Sequence, residues 1–149
     1  MMIVEQLITS FISTAAFGIL FNVPKNTLIK CGLVGMLGWL IYILLANNGV
    51  NIVMATLVAS FFVAVISQVF ARRFRSPVII FSVSGIIPLV PGGMAYDAMR
   101  HFVENDYSSA INLAAKSTML SGAIAMGLIF SEVVNQTIRT TRLGSKRMF

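Results

Sequence analysis

The chain has 149 residues, of which 57% are hydrophobic and 11% charged, with a mean hydropathy of +0.88. A soluble globular domain is about a quarter charged, so this composition excludes a water-exposed surface and a soluble enzyme, and the lone Cys31 excludes an internal disulfide framework. The formal net charge is +6, but the basic residues fall between apolar stretches, where they act as topology signals rather than as a nucleic-acid footprint.

Five apolar stretches approach bilayer-spanning length, which predicts a single all-α integral membrane domain over 1–149 with about five transmembrane helices. The first runs roughly from Ile3 to Phe21 and closes at Asn22-Val23-Pro24-Lys25-Asn26. It lacks a basic leading segment, carries Glu5 and has no small-x-small site before Pro24, so it reads as a retained span rather than a signal peptide. The second runs from Ile29 to Ala46 and ends at Asn47-Asn48-Gly49, and the third from Val50 to Ala71, ending in Arg72-Arg73-Phe74-Arg75-Ser76-Pro77. A fourth, from Val78 to Val103, is interrupted at Pro88-Leu89-Val90-Pro91-Gly92-Gly93. The fifth covers Ala110 to Val134, and the tail from Asn135 to Phe149 is polar and basic.

Orientation follows from the basic residues. Lys25 and Lys30 mark the first loop, Arg72, Arg73 and Arg75 the third, and Arg139, Arg142, Lys146 and Arg147 the tail, while the second loop has no charge. Five crossings put these three regions on one side, expected to be cytoplasmic, with the N-terminus outside and the C-terminus inside. A re-entrant fourth segment would carry the basic tail outside, so a full but interrupted crossing is expected.

The break is where chemistry is expected. Two prolines three apart, followed by Gly92-Gly93, should unwind about a turn. Free backbone groups persist in a bilayer only against protein or a water-filled cavity. Gly92, Gly93 and Met94 would open a second short helix, from about Met94 to Val103, whose amides suit a carboxylate; the bland alternative is a helix end at the outer surface. Asp97, placed in that helix's first turn, suits a substrate ammonium or a coupling proton, or simply complements the helix dipole. Tyr96 suits an interfacial anchor better than a ligand contact. Lys116, inside the fifth span, would hold a carboxylate or phosphate if it faces a cavity, and snorkels if it does not. The candidate substrate-binding set is therefore Pro88, Pro91, Gly92, Gly93, Met94, Tyr96, Asp97 and Lys116.

Other polar residues have quieter readings. Ala114, Thr118, Ser121, Gly122 and Ala125 form a small face for close helix approach or a polar path. Glu132 is expected at the cytoplasmic edge, paired with Arg139 or Arg72, and His101 is expected solvated beside Arg100, Glu104 and Asp106. Gly32, Gly35 and Gly38, and the stripe Ala55, Ala59, Val63 and Ser67, are read as packing surfaces. No phosphate loop, metal-ligand spacing, cofactor motif or nucleophile with a base is present in the sequence.

Phe21-x-Val23-Pro24, Gly35-x-x-Gly38-Trp39-x-x-Tyr42, Ala71-Arg72-Arg73 and Gly85-Ile86-Ile87-Pro88-Leu89-Val90-Pro91-Gly92-Gly93-x-x-Tyr96 together resemble the C-terminal half of the bacterial threonine/serine exporter family. The similarity extends to its free-standing version, the small subunit of split two-component exporters, including a succinate exporter. It covers nearly the whole chain and implies secondary export of small carboxylate metabolites across the bacterial inner membrane. It also implies a larger partner subunit supplying another set of about five spans. Two such halves would be inverted relative to each other, with substrate near the midplane beside broken helices. Against this stand a non-transporting membrane scaffold and a homo-oligomeric channel. Lys116 favours a dicarboxylate and Asp97 an amino acid, so the substrate stays open between them.

Overall fold

A computed structural model describes the backbone of residues 2–146 and the side chains of residues 3–138. It contains six α-helices: α1 (Met2–Leu20), α2 (Lys25–Asn47), α3 (Ile52–Phe74), α4 (Val78–Ile86), α5 (Gly92–Val103) and α6 (Tyr107–Lys146). A 3₁₀ turn, Ile87–Leu89, extends α4. No strand occurs among the described residues. Four helices are each long and apolar enough to cross a bilayer, and α4 with its 3₁₀ turn joins α5 as a pair bent by 51°.

One local device ends four of these helices. Asn22, Gly49, Arg75 and Asn105 all adopt positive φ, at 54°, 78°, 52° and 64°. The next residue then returns its amide to a carbonyl five positions back: Val23 to Gly18, Val50 to Leu45, Ser76 to Ala71 and Asp106 to His101, at 2.9–3.2 Å. This is the Schellman closure, which satisfies carbonyls a helix end would otherwise leave open. Pro24 and Pro77 then cap α2 and α4 with φ of −53° and −57°. Asn51 caps α3 with its side chain, which accepts from the Val53 amide at 2.9 Å.

The core forms where α4 lodges between α2 and α3. Phe81, Val34, Val63 and Cys31 are fully buried there, and the Phe81 ring meets Phe70 edge-on at 6.0 Å. Glycines let the helices approach this closely. A Cβ on Gly35 would lie 2.0 Å from Thr14 Oγ1, one on Gly38 2.3 Å from Val63, and one on Gly85 2.7 Å from Val34. The expected packing roles of the α2 glycines and of the Ala55, Ala59, Val63 and Ser67 stripe are what the structure shows, since all four stripe residues are buried. Isoleucines such as Ile8, Ile12 and Ile19 remain on the outside, where a lipid-facing surface needs them.

α3 and α6 run side by side in the same direction. Gly127 sits against Leu57 and Ser60, Gln68 donates to Ser131 Oγ at 3.2 Å and to Glu132 at 3.4 Å, and Arg72 donates to Asn135. Two membrane-length parallel helices can be joined only by a segment that carries the chain back across, so the bent pair α4–α5 makes a full crossing. The expected pairing of Glu132 with Arg72 is corrected here. Glu132 takes its hydrogen bonds from Gln68 and Gln136, and Arg72 reaches one turn further to Asn135. The Arg139 side chain lies outside the described residues. α6 also continues as helix to Lys146, through the polar stretch expected to begin the tail.

Candidate functional site

The interrupted fourth span is built as its prolines require. Pro88 sits inside the 3₁₀ turn, whose last bond runs from the Val90 amide to the Ile87 carbonyl at 3.3 Å. Val90 is extended, and Pro91 (φ −78°, ψ 49°) centres an inverse γ-turn closed by Gly92 N–H to Val90 O at 2.8 Å. The Ala95 amide bonds the Pro91 carbonyl, so α5 starts at Gly92. The sequence expectation of a start near Met94 is thus early-corrected by two residues, because proline's fixed φ suits it to a helix's entry. Asp97 therefore lies in the second turn, beyond the strongest dipole field, and no acid occupies the first.

Helix geometry leaves the first amides of α5 without carbonyl partners inside the helix, and Pro91 supplies no side-chain cap. Gly92 has spent its amide on Val90, which leaves those of Gly93 and Met94. Neither Gly92 nor Gly93 has a positive φ, and a Cβ on either would meet nothing within 4 Å. Nothing among the described residues therefore demands glycine at these positions. Bare backbone of this kind suits close approach by something else.

Three hollows adjoin the break in series. The central one, about 230 Å³, is lined by Trp39, Tyr42, Thr56, Leu120 and the break itself, through Pro88, Leu89, Val90, Pro91, Gly93 and Met94. Met94 and Leu120 separate it from a larger cavity of about 420 Å³, which Lys116 and Met119 share with Asn51 and its neighbours at the entry to α3. On its other side, Trp39 and Pro88 border a groove of about 240 Å³ along α1, lined by Gln6, Thr9, Ser10 and Ser13. The Trp39 ring packs on Tyr42 at 5.0 Å.

The structure thus gathers Pro88, Pro91, Gly93 and Met94 at one cavity and places Lys116 at the next. No carboxylate lies within ion-pair distance of Lys116 among the described residues. Gly92 is exposed at the break. Tyr96, 69% exposed, and Asp97, also exposed, line none of the three hollows. His101 and Arg100 stand at the far end of α5, paired with Asp106 at 3.4 Å and Glu104 at 2.9 Å.

Sequence reasoning missed Trp39, Tyr42, Thr56 and Ser10 as cavity-lining residues. Trp39 and Tyr42 had a usable signal: three apart on a helix, they share a face that the preceding glycines aim inward. Thr56 and Ser10 had none, because a span hydroxyl usually bonds its own helix, as Thr56 does to Ile52 O at 2.8 Å.

A family model described as Threonine/Serine exporter, ThrE, matches residues 6–134, most of the chain, from within α1 to within α6. The chain belongs to the threonine/serine exporter family. It is accordingly a multi-pass membrane protein of an amino-acid exporter family, a transporter rather than an enzyme family. No solved structure matches it.

Proposed function

We propose that this chain is the membrane subunit of a secondary exporter of small carboxylate metabolites, threonine and serine or a dicarboxylate such as succinate. The observation that carries this reading is a helix broken at Pro88–Gly93 against a largely apolar cavity that Tyr42, Thr56 and Trp39 also line, with two glycines at which an added Cβ would meet nothing within 4 Å. In this reading the Gly93 and Met94 amides receive the substrate carboxylate, and Pro88 and Pro91 hold the backbone open around it. Lys116, across Met94 and Leu120, supplies a counter-charge at the neighbouring cavity.

The export unit includes a larger homologous subunit that supplies the other half of the spans. Gly92, Tyr96 and Asp97 support this part of the reading, because as exposed groups on α5 they can touch substrate only if another chain closes over them. Asp97 would then accept a substrate ammonium or a coupling proton. Lys25, Lys30, Arg72, Arg73 and Arg75 cluster at one end of the bundle, which supports a bacterial inner-membrane orientation with the N-terminus outside and the C-terminus in the cytoplasm.

Efflux of labelled threonine and labelled succinate from otherwise identical cells, with and without this gene, tests the reading. Loss of efflux of one compound on deletion is expected and names the substrate, and Lys116→Met should slow that efflux about tenfold or more. Unchanged efflux of both compounds would favour a non-transporting scaffold.

A further inference from the structure

The groove beside α1 has a hydrogen-bonding character of its own. Gln6, Thr9, Ser10 and Ser13 recur at three- and four-residue intervals and so share one face of the helix, opposite the lipid-facing Ile8 and Ile12. Most of these hydroxyls are committed. Thr9 donates to the Glu5 and Gln6 carbonyls at 3.0 Å, and Ser13 donates to Ser10 O at 3.0 Å. Each hydroxyl has one hydrogen, so toward the groove Thr9 and Ser13 offer only oxygen lone pairs.

Ser10 differs. The residue is only 6% exposed, it lines the groove, and its Oγ has no partner. The indole Nε1 of Trp39, on the opposite wall, is likewise buried and unpartnered. An indole N–H can only donate. A buried donor left unmade is costly, and more so inside a membrane, where no bulk water competes for it. Both residues border one groove that also presents two acceptors and the Gln6 side chain, so a small solute entering it would find two unspent donors at its wall.

We propose that Ser10 and Trp39 form a second binding station for the exported solute, on the α1 side of the break, donating to a carboxylate or hydroxyl oxygen while Thr9 and Ser13 accept from a hydroxyl or ammonium. No ionised side chain lines the groove, so every charge at the station comes from the solute. Because Trp39 and Pro88 also line the break cavity, the indole stands between the two stations, and a solute moving from one to the other passes its edge. This assignment rests on the exporter reading for the identity of the solute.

Trp39 is the chain's only tryptophan, which makes the site its own reporter. The difference in emission between membranes carrying the wild-type chain in its native complex and those carrying Trp39→Phe isolates this indole. Titration with L-threonine, L-serine and succinate is expected to give a saturable change with at least one of them. Ser10→Ala should raise its half-saturation concentration about tenfold, the usual worth of one hydrogen bond to a charged group. Removing an unpartnered hydroxyl strands no other group, so Ser10→Ala should keep the wild-type expression level and melting temperature. No saturable change with any of the three solutes, or one that Ser10→Ala leaves unshifted, overturns the station. The two readings fail separately. A Ser10-dependent signal in a protein that exports none of these solutes supports the station and removes the exporter reading, whereas export without the signal does the reverse.

Discussion

α2 and α6 carry similar runs of small residues and use them in opposite ways. On α2, Gly32, Gly35 and Gly38 are buried, and an added Cβ at each would collide with Phe11, Thr14 or Val63. On α6, Ala114, Thr118, Ser121, Gly122 and Ala125 are all exposed, and a Cβ on Gly122 would meet nothing within 4 Å. The close approach α6 does make is at Gly127, where a Cβ would stand 2.0 Å from Ser60 Oγ and 2.6 Å from the Leu57 carbonyl. Small residues permit close packing, but only the neighbour's position decides whether it happens. One small face holds this chain together, and the other is left open on its surface.

The largest effect is expected at Gly127. Its neighbours include backbone atoms of α3, which cannot rotate away as a side-chain end can. Gly127→Ala should therefore force α3 and α6 apart and destabilise the fold by about 3 kcal/mol, the upper end for overpacking, read as lost expression and a lowered melting temperature in detergent. Survival with an unchanged melting temperature would mean the α3–α6 seam is looser than its geometry.

Gly35→Ala comes next, at about 2 kcal/mol. The obstacle there is the Thr14 side chain, whose β-branch is stiff at χ1 and whose hydroxyl is tied to Ser10 O at 2.8 Å. Pairing the change with Thr14→Ala should recover most of the loss, because the contact partner is then gone. Absence of such rescue would show that the α1–α2 contact is not what Gly35 serves.

These positions also show what sequence could and could not convey. The α2 glycines were legible because their three-residue spacing places them on adjacent turns, and the break was legible because two prolines and two glycines leave a helix no other course. Gly127 was not, since a lone glycine carries no period. The orphaned Ser10 was equally hidden: Thr9, Ser10, Ser13 and Thr14 are chemically alike, and only the packed structure shows which hydroxyl lacks a carbonyl. Asp97 slipped by half a turn because the helix begins at the proline rather than after the glycines. In each case the missing information was the position of a second element, which no local pattern contains.

A smaller effect on the chain, with a larger one on assembly, is expected on the open face. Gly122→Leu should leave the isolated chain as stable as before or raise it by up to about 1 kcal/mol, since leucine is the better helix former. If a larger subunit covers this face, the same change should abolish its co-purification and with it export. Retained co-purification would turn attention from α6 to the exposed groups of α5.

The smallest effect concerns what starts α6 and so aims its open face. Asp106 caps the helix, accepting from the Ser109 amide at 3.2 Å. Hydrogen bonds from Ser109, through its side chain and then its amide, hold the Asp106 carboxyl below its ordinary range, with a lesser contribution from His101 at 3.4 Å. A folded-state pKa below the unfolded value adds stability that is complete above the unfolded carboxyl's titration, at about 4, and is lost as pH falls through the folded value. Acidification below that point should therefore lower the wild-type melting temperature more than that of Asp106→Asn, which keeps an acceptor oxygen but cannot titrate. Because the carboxylate is solvent-exposed, the difference should be slight. Parallel decline of the two proteins would mean that the α5–α6 hairpin is aimed by its packing alone, and that the cap only marks where the helix begins.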